Sequence, residues 1–222
     1  MIFYLLIFFI ILSVSLVLAY LSMKNYQEIP DALKEYGIYL VKKPNFLTLQ
    51  VLGMLLDLCQ GKLLSFERLF KGNLQVLVIF GPKKILSERF SEILGLLELE
   101  DYTRVSGDLI AWEVGRKETG EFAGDIFKNF PALDEDEQFF WQVILNGNHG
   151  QIRAVLFVQD IERKKILVST LENIGGKLLH KIPKPFTSAQ IFENYRKRIF
   201  IPSFGYKLTK EEILRFTGLL HN

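Results

Sequence analysis

The pattern of apolar residues begins with the longest uninterrupted stretch in the chain. Residues 2–22 read IFYLLIFFIILSVSLVLAYLS and contain no charged residue and no Asn, Gln, Gly or Pro. About 20 residues at a rise of ~1.5 Å each are enough to cross a hydrocarbon layer of ~30 Å. A buried core helix would carry a polar face, and a cleaved signal peptide would begin with basic residues and end at a small-x-small site. We therefore predict an uncleaved transmembrane anchor over residues 1–23, followed by a linker over residues 24–36.

Beyond the linker, the apolar runs shorten to the lengths of ordinary strands and helices. Short buried-type or alternating runs predict strands at 37–41, 74–80, 109–114 and 178–182. Apolar residues at helical spacing predict helices at 46–58, 86–97 and 161–173. The first of these helices is apolar enough to lie on a bilayer surface, although packing against a sheet is the commoner role of such a helix.

A β-hairpin is the clearest local signal in this part of the chain. Strands at 139–145 and 151–158 flank the sequence Asn146-Gly147-Asn148-His149-Gly150, which favours a turn. The order of elements, β-α-β and then β-β-α-β with an insertion, predicts an α+β domain of ferredoxin-like type with a mixed sheet over residues 37–185. It also suggests two related halves, at about 37–115 and 138–185.

Residues 186–222 differ in character and are predicted to form a short, basic helical tail. Thr187 with Gln190, and Thr209 with Glu212, have the spacing of capping boxes, which begin helices. Between the two predicted helices, the sequence IFIPSFGYK is rich in aromatic residues and turn formers. The tail therefore combines two helix starts with an irregular connection.

Charge is unevenly distributed, although the net charge is only +2. Residues 85–140 carry 14 acidic and 5 basic side chains, whereas residues 163–215 carry 12 basic and 4 acidic ones. Such polarity can dock a protein partner, follow a phosphate backbone or face anionic lipid, and it can equally be a pair of solvated surfaces. We expect one exposed helical turn, with two lysines nearby, to provide the contacts to nucleic acid, lipid or partner: Arg196, Lys197, Arg198, Lys207 and Lys210.

No catalytic motif is recognisable in the sequence. The patterns H-E-x-x-H, G-x-S-x-G and Cys-x-x-Cys are all absent, and the three histidines are scattered. The acidic run 134–137 lacks the spacing of a calcium loop, and the single cysteine, Cys59, can form no internal disulfide. We therefore predict a protein that is not an enzyme and that needs no metal or cofactor.

The placement of lysines predicts an orientation in the membrane. Lys24, Lys34, Lys42 and Lys43 follow the apolar stretch, and no Lys or Arg precedes it. Cytoplasmic segments next to membrane spans carry an excess of basic residues. We therefore predict a single-pass protein of the cell (inner) membrane whose C-terminal domain lies in the cytoplasm.

Three segments of the chain carry a resemblance to a known family. They are the strand–helix–strand region from Gly37 to Phe80, the segment LDEDEQFFWQVIL, and the tail pattern R-x-F-x-P-S-F-G-Y-x-L-T-K-E-E-I-L. Together they resemble the N-terminal, non-ATPase region of the membrane-bound coupling ATPases of conjugation and type IV secretion. In that family a similar L-T/S-x-E-E-L helix precedes the P-loop motor domain, whose nucleotide-binding residues have no counterpart in this sequence.

The resemblance implies a membrane-anchored accessory or docking domain of a type IV secretion or conjugative transfer machine. Its implied partners are the lipid bilayer and a membrane protein complex or a P-loop motor supplied by another chain; nucleic acid binding and self-association are also compatible with it. A structural subunit unrelated to nucleic acid, or an enzyme of unrecognised class, are the alternatives. An enzyme predicts a concave pocket with convergent polar groups, whereas docking predicts exposed apolar residues beside the basic tail.

Overall fold

The computed structural model describes residues 11–16, 35–100, 108–117, 126–127, 130–174, 179–183 and 186–219. Residues 11–16 are helical and belong to the predicted anchor, most of which, like most of the predicted linker, lies outside the described residues. Among the helices of the described part, none has the length and apolar character that a membrane crossing requires.

In the described residues, one antiparallel sheet and its helices make up the fold, which confirms the predicted α+β class. The prediction of a mixed sheet is wrong, because every pair of described strands is antiparallel. The strands are β1 Tyr36–Val41, β2 Leu63–Lys71, β3 Leu74–Pro82, β4 Leu96–Leu99, β5 Leu109–Arg116, β6 Gln138–Asn146, β7 His149–Phe157, β8 Leu179–Lys181 and β9 Tyr206–Lys207. The helices are α1 Leu49–Leu58, α2 (the continuous segment formed by Lys83–Ile85, Leu86–Phe90 and Ser91–Leu94), α3 Ile161–Glu172, α4 Ser188–Arg196 and α5 Lys210–Phe216.

The strand order shows two halves with the same arrangement. The sheet runs β4-β1-β3-β2-β6-β7-β5-β8, with β9 paired to β7. Outward from the central β2–β6 pair, the order is β2-β3-β1-β4 in the first half and β6-β7-β5-β8 in the second. Each half thus has its second strand at the centre, followed by its third, first and fourth strands. The first half has the order β-α-β-β-α-β. The described elements of the second half have the order β-β-β-α-β, with residues 117–137 joining its first two strands.

Three strands escaped the sequence prediction: β2, β4 and the two-residue β9. β2 contains the buried polar residues Ser65 and Glu67, which interrupt its apolar pattern, and β4 is only four residues long. The strand predicted at 109–114, which we placed in the first half, pairs with β7 and β8 and so belongs to the second. The predicted hairpin is confirmed as β6 and β7, with Gly147 at a φ of 62° in the turn.

The sheet separates two hydrophobic clusters. Because successive side chains of a strand point to opposite faces, Phe139 and Trp141 of β6 belong to the larger cluster and Phe140 to the smaller one. The larger cluster includes residues from four helices: Leu52 of α1, Leu86 of α2, Leu167 of α3 and Ile213 of α5. We call this side the helical face, and the opposite side, where α4 packs through Ile191 and Tyr195, the α4 face.

The C-terminal tail is part of this fold and passes from one face to the other. Both predicted capping boxes are confirmed: Thr187 caps α4 on the α4 face, and Thr209 caps α5 on the helical face. Between them Tyr206 of β9 pairs with Gly150 of β7. A side chain at Gly150 would collide with Leu208, so this passage requires glycine.

Candidate functional site

A row of four polar side chains crosses the middle of the sheet on the α4 face. The register places Glu67 of β2 opposite Gln142 of β6, and Gln142 opposite Arg153 of β7. Arg153 in turn lies opposite Glu113 of β5. None of the four is more than 1% exposed. Because an uncompensated buried charge is strongly destabilising, this row, which we call the polar row, has to be satisfied by internal partners.

Arg153 is the centre of the polar row. Its Nε donates to Glu113 Oε1 at 2.8 Å, and its Nη1 donates to Gln142 Oε1 at 2.9 Å. The same guanidinium donates to the backbone oxygens of Asn194, at 3.3 Å, and Ile199. The polar row therefore holds the backbone of the tail as well as its own side chains.

Two glutamines fix the tail at further points. Gln142 Nε2 donates to the backbone oxygen of Tyr195 at 3.1 Å. Gln151 Nε2 donates to Glu113 Oε2 at 2.8 Å, and Gln151 Oε1 accepts from the backbone N–H of Ile201 at 2.8 Å. The path of residues 194–201 across the α4 face is thus set by side chains of the central strands.

Arg198 lies in this buried network, so the prediction that it belongs to an exposed basic turn is wrong. It is 5% exposed, and its Nε and Nη2 donate to the two carboxylate oxygens of Glu67 at 3.1 and 3.3 Å. Its guanidinium also lies 5.0 Å from the ring centre of Phe80. A φ of 52° ends α4 in the left-handed conformation and turns the chain inward. Glu67 lies in the unpredicted strand β2 and supplies the charge that draws Arg198 from the surface.

Arg196 and Lys197 are exposed, as predicted, and lie at the end of α4. Both pair with Glu193 one turn earlier, at 3.6 and 2.9 Å. Exposed pairs of this kind contribute less than about 1 kcal/mol. These two residues therefore form a solvated basic end of α4 on the α4 face.

Lys207 and Lys210 are exposed but do not join Arg196 and Lys197. Lys207 lies in β9 opposite His149, at one end of the sheet. Lys210 begins α5 on the helical face, and its Nζ lies 2.9 Å from where a Cβ would stand at Gly53 of α1. The sheet lies between Lys210 and the end of α4, and Lys207 lies at one end of the sheet, so the structure does not bring the five predicted residues together.

The surface beside Lys210 exposes apolar residues that the sequence did not single out. Leu52 and Leu55 of α1 are fully buried against the sheet, whereas Leu49, Met54 and Leu58 are 41%, 46% and 48% exposed. Phe46, just before the helix, is 57% exposed. The helix therefore packs on the sheet with one side. Its outer side, which we call the α1 surface, is apolar and lies next to the basic tail.

A groove of about 500 Å³ opens where β2 turns into β3. Its walls include the rings of Phe70, Phe127 and Phe130, together with Leu219 and Arg68. Of the described residues that line it, only Arg68 has an ionisable side chain. The groove thus combines aromatic rings with polar groups, and its described lining contains no acid–base pair. Phe127 and Phe130 lie between β5 and β6, in a segment where no periodic pattern in the sequence marked them.

The remaining ionisable candidates have structural surroundings. In the part of the chain that the structure describes, no group of three or more His, Cys, Asp or Glu could hold a metal ion. The carboxylate of Glu137, in the acidic run, accepts from Arg163 Nε at 2.9 Å and from the N–H of Asp134 at 2.8 Å. Burial raises the pKa of the Cys59 thiol to about 11, which suppresses the reactive thiolate.

No family model, curated protein or solved structure matches this chain. Its function has to be inferred from its own surfaces and from the sequence of its N-terminal stretch.

Proposed function

We propose that the protein is a membrane-anchored accessory or docking domain of a type IV secretion or conjugative transfer machine, without an ATPase of its own. The α1 surface is the observation that carries the proposal. Leu49, Met54 and Leu58 are each more than two-fifths exposed, and Lys210 of the tail lies against Gly53 of the same helix. An apolar surface rimmed by charge is typical of a protein–protein contact, and it is the feature that the docking hypothesis predicts.

The proposed docking partner is a protein, namely the P-loop motor of the machine. A nucleic acid strand is followed by a continuous basic groove, because affinity comes from many phosphate contacts along one path. In this fold Arg196 and Lys197 lie on the α4 face, whereas Lys210 lies on the helical face. That division favours a compact protein contact at the α1 surface over one extended track for DNA.

The proposed tether is the apolar stretch over residues 2–22, with the domain on the cytoplasmic side. Its length matches one membrane crossing, and its nearest basic residues follow it. A docking domain held in this way would present its surface to the motor at a high local concentration, because tethering converts the second contact into an intramolecular one.

The finer fold assignment that accompanies the proposal is a pair of ferredoxin-like units. The β-α-β-β-α-β order of the first half and the repeated strand order of the second support it. Beside the second half, α5 of the tail packs into the larger cluster through Ile213, Leu214 and Phe216.

The test is co-purification of the full chain, in detergent, with a P-loop transfer ATPase encoded beside it. We expect the double variant Met54→Glu/Leu58→Glu to weaken the complex up to about 100-fold. Full burial of such a side chain contributes about 1.5–3 kcal/mol, and because each of the two is already about half buried, a contact adds about half of that per side chain. The matched control is Ile161→Glu/Ile166→Glu on α3, whose side chains are 66% and 56% exposed. Absence of a complex, or equal weakening by the control pair, would remove the support for this function.

A further inference from the structure

One end of the sheet carries exposed lysines on neighbouring strands. Tyr36 at the start of β1 pairs with Pro82 at the end of β3, and Leu63 at the start of β2 pairs with Asn146 at the end of β6. These pairs show that the start of β1 and β2, the end of β3 and the β6–β7 turn lie at the same end. The end of β5 joins them, because Val114 pairs with Ile152 near the start of β7.

This register places four lysines at the same end of the sheet, and we call them the basic rim. Lys62 precedes β2, Lys84 follows β3, Lys117 follows β5 and Lys207 lies in β9. All four are exposed, and none makes an ion pair with another described residue. From β3 to β5 the rim covers four strand spacings, which is about 19 Å.

Two of the acidic residues at this end are paired with other cations. Lys83 binds Glu98, and Arg116 binds Glu212, each at 2.6 Å. A hollow at the edge of the rim contains Lys62, Lys83 and Lys84 together with Glu35 and Glu88. Counting these two carboxylates against the four lysines of the rim still leaves an excess of positive charge among the described residues at this end.

The same end receives the chain from the proposed anchor. Tyr36 is the first residue of β1, and residues 23–35 connect it to the apolar stretch. Thirteen residues span at most about 45 Å when fully extended. If the anchor crosses the membrane as proposed, the start of β1 at the basic rim lies no more than about 45 Å from the lipid headgroups. The opposite end of the sheet lies about 30 Å farther away, the length of a nine-residue strand.

We propose that the basic rim faces the anionic headgroups of the membrane that holds the anchor, so that the strands stand upright on the bilayer. This inference rests on the proposed tether. Each lysine near an anionic surface favours the bound orientation about fivefold, and four of them together can select one orientation of a tethered domain. The α1 surface is then presented sideways, where a motor can reach it.

Lipid is favoured over single-stranded DNA as the occupant of the rim. Unspecific binding of single strands depends on aromatic rings on which bases stack. The ring of Tyr36 stacks on Phe80, with the centres 5.2 Å apart, and the hydroxyl of Tyr206 donates to the backbone oxygen of Val114 at 3.3 Å. Both rings are occupied within the fold, so the described rim offers charge without a stacking surface.

The test uses the full chain reconstituted into vesicles of phosphatidylcholine, alone or mixed with phosphatidylglycerol. In a Cys59→Ala background, a donor dye is attached through Asn148→Cys at the rim or Asn73→Cys at the opposite end, both exposed turn positions. Energy transfer to acceptor-labelled headgroups is then measured. We expect about threefold higher efficiency at position 148 in the anionic vesicles, because the two positions differ by ~30 Å along the strands.

The difference should disappear in the variant Lys62→Gln/Lys84→Gln/Lys117→Gln/Lys207→Gln and at high salt, which screens exposed charges. The matched control replaces four exposed lysines at the opposite end: Lys42→Gln, Lys43→Gln, Lys71→Gln and Lys165→Gln. It should leave the difference intact.

Three outcomes would overturn the inference. Equal transfer at both positions, in a chain that floats with the vesicles, would leave the anchor standing and refute the orientation. Failure of the chain to float would refute the anchor and the orientation together. Rim-dependent binding of an oligothymidylate, with no rim-dependent change in energy transfer, would assign the lysines to nucleic acid instead.

Discussion

Replacing Arg153 by methionine tests whether the polar row stabilises the fold. Arg153 is fully buried and its guanidinium has four partners: Glu113, Gln142 and two backbone oxygens of the tail. Methionine keeps much of the volume but none of the donors. Removing one member of a buried ion pair costs about 3–5 kcal/mol, because the other charge stays buried without compensation. We therefore expect the free energy of unfolding to fall by about 4 kcal/mol.

The assay is urea unfolding of the full chain in detergent, followed by tryptophan fluorescence. Both tryptophans, Trp112 and Trp141, are buried and therefore report on the folded core. The exposed Arg196→Met is the control and should change stability by less than about 0.5 kcal/mol. A loss of less than about 1 kcal/mol for Arg153→Met would refute the structural role of the row.

A double-mutant cycle separates the ion pair from general packing. Glu113→Gln alone leaves Arg153 buried without its nearest carboxylate, 2.8 Å away. The variant carrying both changes should lose less stability than the sum of the two single losses, by about 1–3 kcal/mol. Strict additivity would show that the two charges do not stabilise each other.

Two further predictions concern Arg198 and Cys59. Arg198→Gly should destabilise the fold by about 2–3 kcal/mol in the same urea assay. The loss of the cation beside buried Glu67 exceeds the ~1 kcal/mol gained by relieving the left-handed backbone. Unchanged or increased stability would contradict the pairing of Arg198 with Glu67. Because burial raises the pKa of Cys59 to about 11, maleimide should react slowly with the native chain at pH 8 and rapidly in urea. The stabilising contribution of the protonated thiol is complete below the pKa of the unfolded state and should be lost as pH rises through about 11. Fast labelling of the native chain at pH 8 would show that the thiol is not shielded.

Local signals in the sequence predicted the parts of the fold whose partners lie nearby in the chain. The β6–β7 hairpin depends on a turn within its own sequence, and each capping box joins residues three positions apart. β2 could not be found in this way. Glu67 can be buried because Gln142 and Arg198 donate hydrogen bonds to its carboxylate, and these two residues are 75 and 131 positions away.

The candidate site shows the same limit. Exposure of Arg196 and Lys197 could be predicted from a basic helix end, but the next residue, Arg198, turns inward because of a carboxylate on a distant strand. The grouping of Lys210 with the α4 residues failed because the tail passes to the other face after Lys207, where Leu208 packs against Gly150. Which side of α1 is exposed can be determined only once the side that packs on the sheet is known.

The pairing of β2 with β6 has a consequence for the solubility of the two halves. The pair is in register over nine residues on each strand, and it leaves β4 and β8, of four and three residues, as the outer strands of the described sheet. A long unpaired strand is a template for aggregation, whereas a very short one is not. A chain ending near residue 100 would expose the whole of β2 to other molecules. The second half therefore acts as an internal cap that keeps the first from polymerising edge to edge.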